Sequence, residues 1–131
     1  MESVVGFKFD VEDILKILDS IDDNRMNAMM YGSTCVYTDQ FGNHCIAGEI
    51  LDKLGLPVPD FSSSLNDVGF GVLLLEDEYY GIFSAEAADM ISRGQETADM
   101  HSKNKNSQAW LYAKDDMRNW IETYYDDQEE F

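Results

Sequence analysis

Two cysteines, two histidines and many carboxylates are the side chains of this 131-residue chain that could do chemistry. Cys35 and Cys45 bracket a turn-rich stretch, His44 adjoins one of them, and His101 lies far along the chain. A zinc site calls for closely spaced Cys–Cys or His–His pairs, and none is present. A cross-strand disulfide and a pair of reduced, buried thiols both suit the two cysteines, the second being the commoner fate. Neighbouring residues of a strand point to opposite faces, so His44 and Cys45 are not expected to act as base and nucleophile. The acidic runs Asp22-Asp23, Glu76-Asp77-Glu78, Asp115-Asp116 and Asp126-Asp127 read as solvated surface rather than acid/base machinery. No stretch has the alternating acids, central glycine and closing glutamate of a calcium loop. Phosphate-cradling loops, G-x-G-x-x-G turns and G-x-S-x-G elbows are also missing from the sequence. No catalytic residue, metal or cofactor is therefore expected, and the chain reads as non-enzymatic.

Charge is the stronger signal. Nine Lys+Arg face 26 Asp+Glu, leaving a formal charge of −17. Such a surface repels phosphate backbones, so direct binding to nucleic acid or to an anionic membrane is not expected. The charge is also grouped. Between residues 10 and 25, Asp10, Glu12, Asp13, Asp19, Asp22 and Asp23 oppose only Lys16 and Arg25. Between 76 and 100, Glu76, Asp77, Glu78, Glu86, Asp89, Glu96 and Asp99 oppose Arg93 alone, and after Trp120 follow Glu122, Asp126, Asp127, Glu129 and Glu130. Lys103, Lys105, Lys114 and Arg118 form a locally basic stretch among them. Grouped carboxylates on a rigid domain can imitate duplex phosphates and attract a basic groove. Solubility is the plainer explanation of the same charge. The candidate partner-binding residues are Asp19, Asp22, Asp23, Glu76, Asp77, Glu78, Asp89, Glu96, Asp99, Glu122, Asp126 and Asp127.

These groups need elements to position them. At 44% apolar residues the chain suits one globular domain over 1–131, with 126–131 as a frayed acidic tail. Asp10 is placed to cap a helix over about 10–22, whose Val11, Ile14, Leu15, Leu18 and Ile21 make one buried stripe. Asp19, Asp22 and Asp23 would then meet the negative end of its dipole, a locally unfavourable arrangement. Residues 34–46 read as a short hairpin, and 47–54 as a helix stopped by Gly55 before Pro57. Val68, Phe70, Val72 and Leu74 alternate as in a strand, although a short helix fits the segment as well. Ser84 caps a helix reaching about Met100, and Ser107 is placed to cap a last one running to about 125. Ala88, Ile91, Gln95 and Ala98 form a small-residue face suited to close helix packing. Met26, Met29 and Met30 are expected to fill core. The fold class expected is α+β: a mainly helical domain of about four helices with a short β-hairpin near 34–46.

The pattern Cys35-x-Tyr37, Gly42, Cys45-Ile46-x-Gly48, Leu51, Leu54-Gly55 and Pro57 resembles small uncharacterised proteins of actinobacteria and their phages. Gln95, Asp99, Trp110 and Ala113 occupy counterparts of a second, looser motif, so the resemblance covers roughly residues 30 to 114. The family brings no established reaction with it. With the charge, it implies a phage-type accessory protein that binds and inhibits a host or defence protein with a basic surface, acting as a DNA mimic. The alternative is a structural or assembly protein that homo-oligomerises, for which the partner is a second copy in a homodimer. The acidic start Met1-Glu2-Ser3 lacks the basic and long apolar regions of a signal peptide, and no apolar run approaches roughly 18 to 20 residues. A cytoplasmic location, in the host cell, is the expectation.

Overall fold

In the computed structural model, residues 8–30, 34–120 and 122 are described, and they are mainly helical. Helix α1 (Val11–Leu18) starts where its cap predicts. Asp10 is extended, its carboxylate accepts from the Val11 N–H, and Asp13 reaches back to the Asp10 N–H at 2.9 Å, closing a capping box. Val11, Ile14 and Leu18 are buried; the helix then gives way to turns that carry Ile21 into the core. Helix α2 (Ile46–Lys53) is capped by Cys45, whose Sγ accepts from the Gly48 N–H. It ends in a Schellman arrangement: the Leu56 N–H donates to the Leu51 carbonyl and the Gly55 N–H to that of Asp52, with Gly55 at φ +78°. Helix α3 (Phe70–Leu73) settles the ambiguous segment as a short helix.

Helix α4 (Ala85–Lys103) runs one turn past the expected end, and Ser84 caps it by accepting from the Ala87 N–H. Ser84 Oγ also donates to Asp10 Oδ1 at 2.7 Å, so the caps of α1 and α4 are joined. Helix α5 (Ala109–Trp120) begins after Asn106, whose side chain accepts from the Gln108 N–H; Asn106 takes the role expected of Ser107. Helices α4 and α5 pack antiparallel, with Thr97 against Asp116 and His101 stacked on Tyr112. Gly94 permits the approach, because a Cβ there would stand 2.7 Å from Met117 Sδ. The core gathers Ile14, Leu18, Ile46, Ile50, Leu51, Leu73, Met90, Ile91, Trp110 and Met117.

The hairpin expected over 34–46 is not seen. Strands β1 (Met29–Met30) and β2 (Thr34–Cys35) are two residues each and pair antiparallel, Met29 with Cys35 and Met30 with Thr34. Downstream, the backbone finds other partners. The Tyr37 N–H donates to the Asn66 carbonyl, and Thr38 exchanges hydrogen bonds with the Asn66 side chain at 2.9 and 2.8 Å. The turn is organised by Asp39, whose carboxylate accepts from the Phe41 and Asn43 N–H groups, and one isolated bridge joins Thr38 to His44. Met26 is exposed rather than core-filling. The side chains of Met29, Met30 and Cys35, the end of the last expected helix and the 126–131 tail lie outside the described residues.

Candidate functional site

Three of the four cations of the basic stretch, Lys103, Lys114 and Arg118, are met by acids of the fold, while Lys105 is exposed. Lys114 on α5 is 4% exposed; its Nζ donates to the Ile21 carbonyl and pairs with Asp23 at 2.7 Å. Arg118 pairs with Asp19 at 2.8 Å. The acids at the end of α1, unfavourable for that helix alone, are therefore met by cations from α5. Asp22 accepts from the Asn24 N–H in a local turn. Asp89 accepts from the Trp120 indole N–H at 2.8 Å, and Asp99 pairs with Lys103 at 3.3 Å. Glu76, Asp77, Glu78, Glu96 and Glu122 are exposed, and Asp126 and Asp127 lie outside the described residues. Lys53 faces Glu49 and Arg93 faces Asp116, so at least five of the nine Lys and Arg side chains stand in ion pairs. Arg25 lies over the Trp110 ring and Lys8 over Phe9.

One cavity of about 120 Å³ opens beside α4, lined by Val36, Tyr37, Cys45, Asp67, Val68, Gly69, Gln95 and Asp99. Its walls are built by contacts distant in sequence. Asn66, 4% exposed, ties the chain before Asp67 to Tyr37 and Thr38. Gln95 reaches from α4 to α2, its Oε1 accepting from the Ala47 N–H at 3.0 Å. Asp99 was legible as a candidate from its charge. Asp67 was not, because it sits in a segment whose sequence pattern was ambiguous.

A second cluster lies at the start of α2, with His44 just before the helix and Glu49 and Asp52 on it. His44 Nδ1 is 3.1 Å from Glu49 Oε1, and one ligand atom from each of His44, Glu49 and Asp52 lies within 4.8 Å of the others. An imidazole with two carboxylates is a donor set suited to a divalent transition metal. The signal was a histidine just before a helix with acids one and two turns on. Cys45 is buried, and its sulfur accepts from the Gly48 N–H at the helix cap. Burial of Asp39 pushes its carboxyl up, but N–H groups of Asn43, Phe41 and Gly42 outweigh that and hold it below the usual carboxylate value. Among the described residues no helix is long and apolar enough to cross a membrane. Comparison with family models, with curated proteins and with solved structures finds no match to this chain.

Proposed function

We propose that this chain is a non-enzymatic, phage-type accessory protein that binds and inhibits a host or defence protein with a basic surface, its carboxylates standing where nucleic-acid phosphates would. The observation that carries this reading is the use of cations. The basic residues are largely engaged within the fold, whereas Glu76, Asp77 and Glu78 are exposed together in one segment. A field of one sign at the surface steers a basic partner into contact. Val72, Leu75 and Tyr80, in the same segment, are 55%, 68% and 72% exposed. Apolar side chains interleaved with uncompensated acids suit a protein interface better than a purely solvated surface. The same apolar residues support self-assembly as a second reading, against which a charge of −17 per copy works.

Immobilised protein, exposed to host lysate in about 0.05 M and about 0.5 M NaCl, tests the proposal, because the screening length falls from about 14 Å to about 4 Å across that range. A specific protein should be retained at low salt, released at high salt, displaced by duplex DNA, and lost from the Glu76→Gln/Asp77→Asn/Glu78→Gln variant. Capture indifferent to salt and to the triple variant would overturn the reading. A size that grows with concentration in the absence of lysate favours self-assembly instead.

A further inference from the structure

The cluster at the start of α2 joins an imidazole to carboxylates on backbone that the fold holds in place. The His44 carbonyl accepts from the Ala28 N–H at 3.2 Å, and Cys45, the next residue, caps α2. Glu49 and Asp52 are three residues apart on that helix and therefore share a face. The side chains of His44 and Glu49 are each 21% exposed, and Asp52 stands at the surface. Bonds of about 2.1 Å to one ion put neighbouring ligands about 3.0 Å apart in an octahedron and about 3.4 Å apart in a tetrahedron. The 3.1 Å between His44 Nδ1 and Glu49 Oε1 falls between the two. A shared proton accounts for that contact as well, but not for Asp52. Its carboxylate converges on the pair, all three ligand atoms lying within 4.8 Å of one another, yet it forms no hydrogen bond or ion pair of its own among the described residues. Lys53 meets the other oxygen of Glu49 only at 4.0 Å, beyond hydrogen-bonding distance, so the negative charge here is weakly compensated. Hard ions such as Ca²⁺ and Mg²⁺ prefer an all-oxygen shell, whereas an imidazole nitrogen beside carboxylates suits a transition ion, with water in the remaining positions.

We propose that His44, Glu49 and Asp52 form a binding site for a divalent transition-metal ion of the zinc type, the ion taking the place of the proton between Nδ1 and Oε1 while the ring keeps a proton on Nε2. Asp52, exposed and otherwise unbonded, turns inward to supply the third ligand. The site uses none of the residues of the Glu76-Asp77-Glu78 surface, and the two readings do not depend on each other.

The probe is Zn²⁺, titrated into the ¹⁵N-labelled full chain after treatment with EDTA and removal of the chelator, and followed by calorimetry and amide shifts, with Mg²⁺ as control. A single equivalent should bind in the micromolar range with shifts centred on His44, Glu49 and Asp52, and Mg²⁺ should bind about a hundredfold more weakly. His44→Gln and Asp52→Asn should each weaken Zn²⁺ binding about tenfold or more. Asp52→Asn is the secure arm, because the charge it removes holds nothing else in the fold, which circular dichroism checks. The Glu76→Gln/Asp77→Asn/Glu78→Gln variant should bind Zn²⁺ as the parent does. No saturation by about 1 mM Zn²⁺, shifts centred elsewhere, equal affinity for Mg²⁺, or undiminished binding by either His44→Gln or Asp52→Asn would overturn the proposal, leaving a His44–Glu49 hydrogen bond on a surface that gathers counterions.

Discussion

Asn27 is the residue whose loss should be felt farthest. It is 6% exposed, and its Oδ1 accepts at 2.9 Å from both the Ile46 N–H, at the start of α2, and the Trp110 indole N–H, on α5. Its own N–H donates to Ser102 Oγ at 2.8 Å, near the end of α4. Asn27→Leu keeps that backbone bond but leaves two donors, on residues that are 0% exposed, with no acceptor. At about 1–3 kcal/mol for each orphaned donor the gross cost is about 2–6 kcal/mol; added apolar burial offsets some of it, leaving about 3 kcal/mol. That is a large part of the roughly 5–15 kcal/mol a domain commands. Urea unfolding followed by tryptophan fluorescence measures it. With an m-value of about 1–3 kcal/mol/M the midpoint should fall by about 1–3 M with little change in slope. Trp110→Phe supplies the second arm, because removing one donor should roughly halve the cost of Asn27→Leu in the double variant. A loss below about 1 kcal/mol in the single variant, or strict additivity in the pair, would refute the reasoning.

Two further substitutions probe the frame around the cavity. A Cβ on Gly48 would stand 2.8 Å from the Tyr37 carbonyl oxygen, a backbone atom that cannot swing aside, so Gly48→Ala should cost about 1–3 kcal/mol despite alanine's better helix propensity; equal or higher thermal stability would contradict this. Tyr79 is 2% exposed and its hydroxyl donates to the Pro57 carbonyl at 2.7 Å; burial, with the nearby Glu78 charge, raises its pKa above the ordinary value of 10.0. The folded state therefore holds the phenolic proton more tightly than the unfolded chain does. This contribution is fully present below the unfolded pKa and is lost as pH rises through the folded one. Tyr79→Phe should lose about 1 kcal/mol near neutrality and lose less than the parent between pH 8 and pH 11; parallel alkaline profiles would show that the phenol is not the group responsible.

Much of the helical frame was legible because the forces that start and stop a helix act within one turn. Asp10 and Ser84 cap, Gly55 stops, and the three-and-four spacing of Val11, Ile14 and Leu18 names the buried face of α1 from neighbours a few residues away. The same local reasoning misplaced what depends on distant partners. The stretch at 34–46 has hairpin composition, yet its backbone is satisfied by Asn66 and by the Asp39 carboxylate, so extended ladders do not form. Composition alone shows an acidic chain and three acidic groups. Only the packing of α5 against the end of α1 reveals that Lys114 and Arg118, 93 and 99 residues from the Ile21 carbonyl and the Asp19 carboxylate they bind, pair with Asp23 and Asp19 and so offset part of one of those groups. The cavity is likewise a tertiary product: Asp67 and Asp99 both line it, Asn66 tying the loop to Tyr37 and Thr38 and Gln95 tying α4 to Ala47. Sign and quantity of charge follow from residue counts, whereas the availability of each charge depends on which opposite group the fold carries to it, and that is settled by packing across the whole chain.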